Sequence, residues 1–172
     1  MARRRGKKGP DTDEVRGDRQ AVVVNGWSLY AHPLFQARLA ELVRQVARDR
    51  DKHPETFRSR AAAQQLRAIR KIIRDVPMDP ASSAYLQGNT LGGDRRHWRR
   101  AKFLQQFRLF FRLSAEQRVI VFAWVNDDDT LRAYGSRRDA YRVFSAMLAD
   151  GNPPDDLSAL LRQCAPLSEP TV

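Results

Sequence analysis

Apolar positions change period along the chain, and the changes mark its elements. The run from Ala21 to His32, AVVVNGWSLYAH, is rich in β-branched and aromatic residues broken by Asn25-Gly26, and predicts one bulged strand or two short ones. Pro33 then opens a helix, with Leu34, Phe35, Leu39, Leu42, Val43 and Val46 at helical spacing and Arg38, Arg44 and Arg48 on other faces. It should end before Asp51-Lys52-His53-Pro54. A second helix is predicted from near Pro54, a residue suited to the first helical position, with Phe57, Ala62, Leu66, Ile69, Ile73 and Val76 as its stripe and Pro77 as its stop. Two amphipathic helices on a short linker predict an antiparallel hairpin with one apolar face to cover.

Residues 77–94, rich in Pro, Gly, Ser and Asn, read as a long ordered loop pinned by Tyr85, Leu86 and Leu91. Three strand-like runs follow, His97 to Leu104, Phe107 to Leu113 and Arg118 to Val125, and short polar turns between them predict an antiparallel meander. A helix is expected from about Arg137 to Leu148, with Tyr141, Phe144 and Leu148 on one face, and a short helical stretch around Leu157 to Leu161. The fold class is therefore α+β. A disordered basic arm is expected over 1–20, a single domain over 21–163 and a flexible tail over 164–172.

Composition narrows the partners. Thirty-one Lys and Arg against 20 Asp and Glu give a formal charge of +11, which favours polyanions. No stretch approaches the roughly 18 to 20 apolar residues that span a bilayer. No apolar segment follows the basic N-terminus as an export signal requires, so the cytoplasm is the expected compartment and a membrane partner is not expected. The single Cys164 excludes an internal disulfide and a multi-cysteine metal site.

The informative stretch runs from Arg95 to Arg112 and contains Arg95, Arg96, Arg99, Arg100, Lys102, Arg108 and Arg112 with no acid among them. Strand alternation sends Phe107, Leu109, Phe111 and Leu113 to one face and Arg108, Phe110 and Arg112 to the other. Arg100 and Lys102 likewise share a face, opposite His97 and Arg99. Cations around an aromatic plane suit single-stranded RNA, so Arg95, Arg96, Arg99, Phe110 and Arg112 are candidate RNA contacts. The plainer reading is a solvated face whose arginines pair with acids such as Asp127, Asp128 and Asp129.

Three segments in this order, NGWSLYAHPLF from Asn25, FRLFFR from Phe107 and WVNDDDTLRAYG from Trp124, resemble the YhaV toxins, the likeness extending from Asn25 to about Arg162. The resemblance implies a RelE-like fold: a helical hairpin packed on a curved antiparallel sheet, with C-terminal helices. It also implies an endoribonuclease toxin that cuts mRNA, with the ribosome and a PrlF-like antitoxin as partners. Carried over by position, Arg100, Lys102, Arg108, Arg132 and Tyr134 are the candidate catalytic residues.

Metal-free RNA cleavage sets the 2′-hydroxyl against the adjacent phosphate. Arginine forks suit the developing charge, since they stay protonated and bind phosphate bidentately. They are poor proton acceptors. Lys102, whose charged form is disfavoured by neighbouring cations, is the better base, and Tyr134 is an acid, a base or a stacking group. His97 lies on the wrong face, and His32 and His53 read as helix-boundary residues. Asp127, Asp128 and Asp129 invite a Mg²⁺ site, but consecutive loop acids diverge and a solvated turn is the better reading. No cofactor is expected. A non-catalytic RNA- or ribosome-binding protein using the same basic face is the competing function.

Overall fold

Strand β5, VIVFAWV over Val119–Val125, is apolar at every position, which is the signature of a strand covered on both faces. The computed structural model describes residues 20–168, so the expected basic arm, apart from Gln20, lies outside them. The described elements are β1 (Val23–Val24), β2 (Trp27–Ala31), α1 (Pro33–Lys52), α2 (Ala61–Asp75), β3 (Arg99–Phe103), β4 (Phe107–Ser114), β5, α3 (Ala140–Ala149), α4 (Leu157–Gln163) and β6 (Ala165–Pro166).

The sheet runs β1-β2-β5-β4-β3, with β6 pairing beside β1 on the edge of β2. It is mixed, whereas the sequence predicted an antiparallel one. β3, β4 and β5 form the expected meander, but β2 and β5 are parallel, Leu29 opposite Ile120 and Ala31 opposite Phe122. The long connection through α1, α2, β3 and β4 brings the chain back in the direction in which it left.

One face carries Leu29, Leu109, Phe111, Ile120 and Phe122 against Phe35 and Leu42 of α1 and Leu66, Ile69 and Ile73 of α2. The other carries Phe110, Val121 and Ala123 against Tyr141, Phe144 and Leu148 of α3 and Leu160 of α4, with Trp98 at the margin. A bulge helps fill this second layer: Phe110 faces Trp124 and Phe111 faces Phe122, leaving Ala123 as the extra residue on β5. Phe144 stacks on Phe110 at 4.2 Å and meets Trp98 edge-on at 5.0 Å. The half-open basic face expected of β4 is therefore a second core, because α3 and α4 cover it.

Helix boundaries follow local hydrogen bonding. Helix α2 starts at Ala61 instead of near Pro54, since the amides of Thr56 and Phe57 both return to the carbonyl of His53 and close a separate turn. Helix α3 starts at Ala140 because the Asp139 carboxylate accepts from the Tyr141 amide and caps it there. The predicted tail is held at its start: β6 pairs with Tyr30 and Ala31, and Leu167 is buried with its amide on the carbonyl of Leu29. None of the helices described is long and apolar enough to cross a membrane.

His32 joins the two layers. Its Nδ1 accepts from the Leu34 amide at 3.2 Å, capping α1, and its Nε2 lies 2.8 Å from Oε1 of Gln163 in α4. Accepting at Nδ1 requires the tautomer that donates from Nε2. Burial lowers the His32 pKa below the usual 6.5, partly offset by the Gln163 hydrogen bond. The unfolded chain then binds the extra proton more readily, so this contribution to stability is full above pH 6.5 and is lost as pH falls below it. Urea unfolding between pH 8 and 5 should show that decline, and His32→Gln should flatten it.

Candidate functional site

The β3–β4 hairpin sets the site. Its register places Lys102 opposite Arg108 and Arg100 opposite Phe110, so three cations share one end of the α3-facing side. The turn is strained, since Leu104 (φ 43°) and Gln105 (φ 64°) both adopt the left-handed region without being glycine. Each such residue costs on the order of 1–3 kcal/mol. Nearby contacts hold the turn: Gln106 accepts from the Arg132 amide at 2.9 Å and from Asn126 Nδ2 at 3.0 Å, and the buried Asn126 also accepts from the Arg108 amide at 2.7 Å. The strained Gln105 carbonyl accepts from Arg108 Nη1 at 2.8 Å, so the turn aims that guanidinium.

Tyr141, in the first turn of α3, is where the arginines meet. Its hydroxyl oxygen accepts from Arg100 Nε at 3.0 Å and from Arg108 Nε at 3.2 Å. The Arg132 guanidinium lies 5.0 Å from its ring centre and that of Arg108 5.9 Å. Both acceptor positions of the phenol are taken, so its own hydrogen is free to be donated. Arg132 is set from the other side by Asp139 Oδ1 at 2.5 Å, an oxygen that also accepts from the Ala133 amide. A cavity of about 320 Å³ opens beside the cluster, lined by Thr90, Arg132, Tyr134, Gly135, Tyr141 and Arg142 among others.

The predicted site residues separate into groups. Arg100, Arg108 and Arg132 converge on Tyr141, and Lys102 is exposed two residues along β3 from Arg100, on the same side of the strand. Arg108 is only 7% exposed. Tyr134 is 96% exposed at the cavity rim, with Arg132 5.9 Å from its ring, and does not reach the cluster by any hydrogen bond among the described residues. Phe110, expected to contact RNA, is fully buried in a three-ring cluster with Phe144 and Trp124. Arg112 is a structural group: it lies over Trp98 at 5.3 Å and donates to the Asp155 carbonyl at 2.5 Å, and burial lowers its pKa. Arg95 donates to Ser145 of α3 at 2.9 Å, Arg96 donates to Asn89 and is exposed, and Arg99 falls on the Ala101 side of β3, away from Tyr141.

Two further groups are settled by their contacts. Asp155 accepts from Trp98 at 2.7 Å and lies 2.9 Å from the ring nitrogen of His97. Burial opposes its charge, yet the His97 and Trp98 hydrogen bonds and the Arg112 charge together hold its carboxyl below the usual value. His97 thus belongs to a tie between β3 and the segment before α4. Asp127 closes its own turn, accepting from the Asp129 amide and from the Thr130 hydroxyl.

Sequence reading missed Tyr141 as a site residue by assigning it to the core face of its helix, where its ring indeed packs edge-on to Phe110 at 5.6 Å. One signal was present, since a buried tyrosine needs a partner for its hydroxyl and the arginines of the facing sheet are the nearest supply. As built, the cluster offers cationic forks for a phosphate, a phenol with a free proton and an exposed amine.

Comparison with known proteins assigns the chain to a family. Residues 29–165 match the model of a family described as a toxin with endonuclease activity, of a toxin–antitoxin system. The ribonuclease toxin YhaV of Escherichia coli K12 is 44% identical over 143 residues, covering 81% of this chain and 93% of the relative. Toxin YhaV of E. coli O157:H7 matches equally, and that of E. coli O6:H1 at 43% identity. No solved structure matches at a significant level.

Asp139 caps α3 and holds Arg132 at once. Asp139→Ala should lower the unfolding free energy by about 2–4 kcal/mol, combining loss of a cap with an unpaired arginine. Denaturant titration measures it, and a change under about 0.5 kcal/mol would show the pair to be idle.

Proposed function

Because the chain belongs to the YhaV toxin family, we propose that it cuts mRNA during translation with the cluster around Tyr141, by attack of a ribose 2′-hydroxyl on the adjacent phosphate. The observation that carries this reading is the convergence of Arg100 and Arg108 on one phenol oxygen, with Arg132 against the ring. Arg132 and Tyr141 line a cavity of about 320 Å³, and the guanidiniums of Arg100 and Arg108 gathered on the same phenol add charge where the pentacovalent phosphate gains it. Arg108, with Nε on Tyr141 and Nη1 on backbone carbonyls, keeps Nη2 for a phosphate oxygen. Lys102 accepts the proton of the 2′-hydroxyl, and Tyr141 hands its free proton to the departing 5′-oxygen. No metal ion is needed in this scheme, since the arginines carry the charge stabilisation. Tyr134, exposed on the rim, supports a base instead of transferring a proton.

The overall architecture is read as RelE-like, with α1 and α2 as the hairpin on one face of the sheet. Residues 21–163 constitute the toxin domain, with the structured part reaching Leu167. The partners are mRNA, the ribosome and a PrlF-like antitoxin, and the site of action is the cytoplasm.

Cleavage of an oligoribonucleotide, alone or on programmed ribosomes, tests the scheme. Lys102→Ala and Arg108→Ala should each lower the cleavage rate 100-fold or more while weakening RNA binding less than about 10-fold. Products should carry a 2′,3′-cyclic or 3′-phosphate and a 5′-hydroxyl. Excess chelator should change nothing. Activity lost with chelator, or RNA bound and never cut by the wild type, would contradict the scheme, the second result favouring a binding protein.

A further inference from the structure

Strand β3 ends the sheet, and its outer edge is nearly bare. In any edge strand every second residue turns its N–H and C=O away from the sheet, and a free row of such groups is a template for another strand. Among the described residues, the pairing on this side is the single bridge between Leu86 and Arg99, at the start of the strand. From Arg100 to Phe103 nothing pairs with it.

Alongside the bare edge runs a groove of about 430 Å³ between β3 and α2, lined by apolar residues that include Ala68 and Ile72 of α2, Tyr85 and Phe103, and by the charged Lys71, Asp75 and Lys102. The two ends of the strand are marked by exposed leucines, Leu86 at 46% bridged to Arg99 and Leu104 at 45% following Phe103, among the large apolar side chains that the described residues leave in water. An apolar trough beside unpaired backbone calls for a strand with apolar side chains at alternate positions. RNA would satisfy neither the backbone groups nor the trough.

Charge selects among strands. The edge carries Arg99, Arg100 and Lys102, and neither Arg99 nor Lys102 has a carboxylate partner among the described residues. The carboxylate of Asp75 at the far side of the groove is engaged by Lys71. Cations on an edge discourage pairing with a second basic copy of this chain and admit an acidic segment.

We propose that the edge of β3 and the groove beside α2 take up an extended segment of the antitoxin, alternately acidic and apolar, as an additional antiparallel or parallel strand. The proposal rests on the reading of this chain as the toxin of a toxin–antitoxin pair. An added strand of about four residues covers Arg100 to Phe103. Its acidic positions lie against Lys102, and its apolar positions enter the trough. Neutralisation then follows from geometry, because Lys102 is covered and the β3–β4 turn that aims Arg108 is clamped. Main-chain pairing supplies affinity and the trough supplies specificity.

The experiment uses the full-length toxin and its cognate antitoxin. Amide hydrogen exchange is measured on the toxin alone, with antitoxin, and with an oligoribonucleotide carrying 2′-deoxy sugars that prevent cutting. In parallel, antitoxin affinity and mRNA cleavage are measured for Ala68→Glu, which fills the trough with a negative charge outside the catalytic cluster. Slowed exchange across Ala101 to Phe103 with antitoxin is expected, together with a tenfold or greater loss of antitoxin affinity in Ala68→Glu that exceeds any change in its cleavage rate. A tight complex that leaves those amides unprotected, and that Ala68→Glu does not weaken, would overturn the edge site while the antitoxin reading stood. Protection by the oligoribonucleotide and not by antitoxin would make the groove an RNA track and overturn it as well. Absence of any complex would remove the antitoxin reading and this proposal with it. Should Ala68→Glu fail to fold, the exchange data on the wild type decide alone.

Discussion

Strand β4 is buried on both faces, and that constraint shapes the rest of the molecule. Leu109 and Phe111 pack toward α1 and α2, Phe110 packs toward α3, and Arg108 is carried into the same environment by strand alternation. A buried guanidinium needs acceptors on every side, or its desolvation is uncompensated. Here they are the Tyr141 hydroxyl and the carbonyls of Gln105 and Phe107. The first ties Arg108 to α3 and the second to the strained hairpin turn, so one side chain couples the second core layer to the rim of the cavity.

Three guanidiniums close to one phenol repel one another, by roughly 2–4 kcal/mol per close pair at the dielectric of a protein surface and before screening. Among the described residues one carboxylate, Asp139, is bonded to the cluster, and it engages Arg132. Folding alone does not favour an arrangement with this surplus of positive charge. A bound phosphodiester does, because it brings the missing negative charge to the point where the forks converge. The excess of +11 over the whole chain acts in the same sense at longer range, drawing polyanions toward the surface.

Element types were legible because period and punctuation agreed: Pro33 at the start of α1, Asn25-Gly26 between β1 and β2, and the three runs of the meander. The parallel pairing of β2 with β5 was not, since strand order depends on where the chain returns and no local residue records it. For the site, strand alternation correctly put Arg100 with Lys102 and Arg108 with Phe110. It failed on exposure, because coverage of the opposite face by α3 and α4 is a tertiary fact, and so Phe110 was given an RNA contact that its burial against Phe144 precludes, while the Arg112 guanidinium is engaged over Trp98. Tyr134 was singled out by position through the family resemblance, whereas Tyr141, seven residues on in the first turn of α3, is the tyrosine that touches the arginines.

The central claim is that the buried phenol, and not the exposed one, belongs to the reacting centre. Single-turnover cleavage by Tyr141→Phe and Tyr134→Phe tests it most directly, with folding checked by circular dichroism. A loss of 100-fold or more in the chemical step is expected for Tyr141→Phe and a change within about threefold for Tyr134→Phe. Full activity in Tyr141→Phe, or the larger loss in Tyr134→Phe, would contradict it.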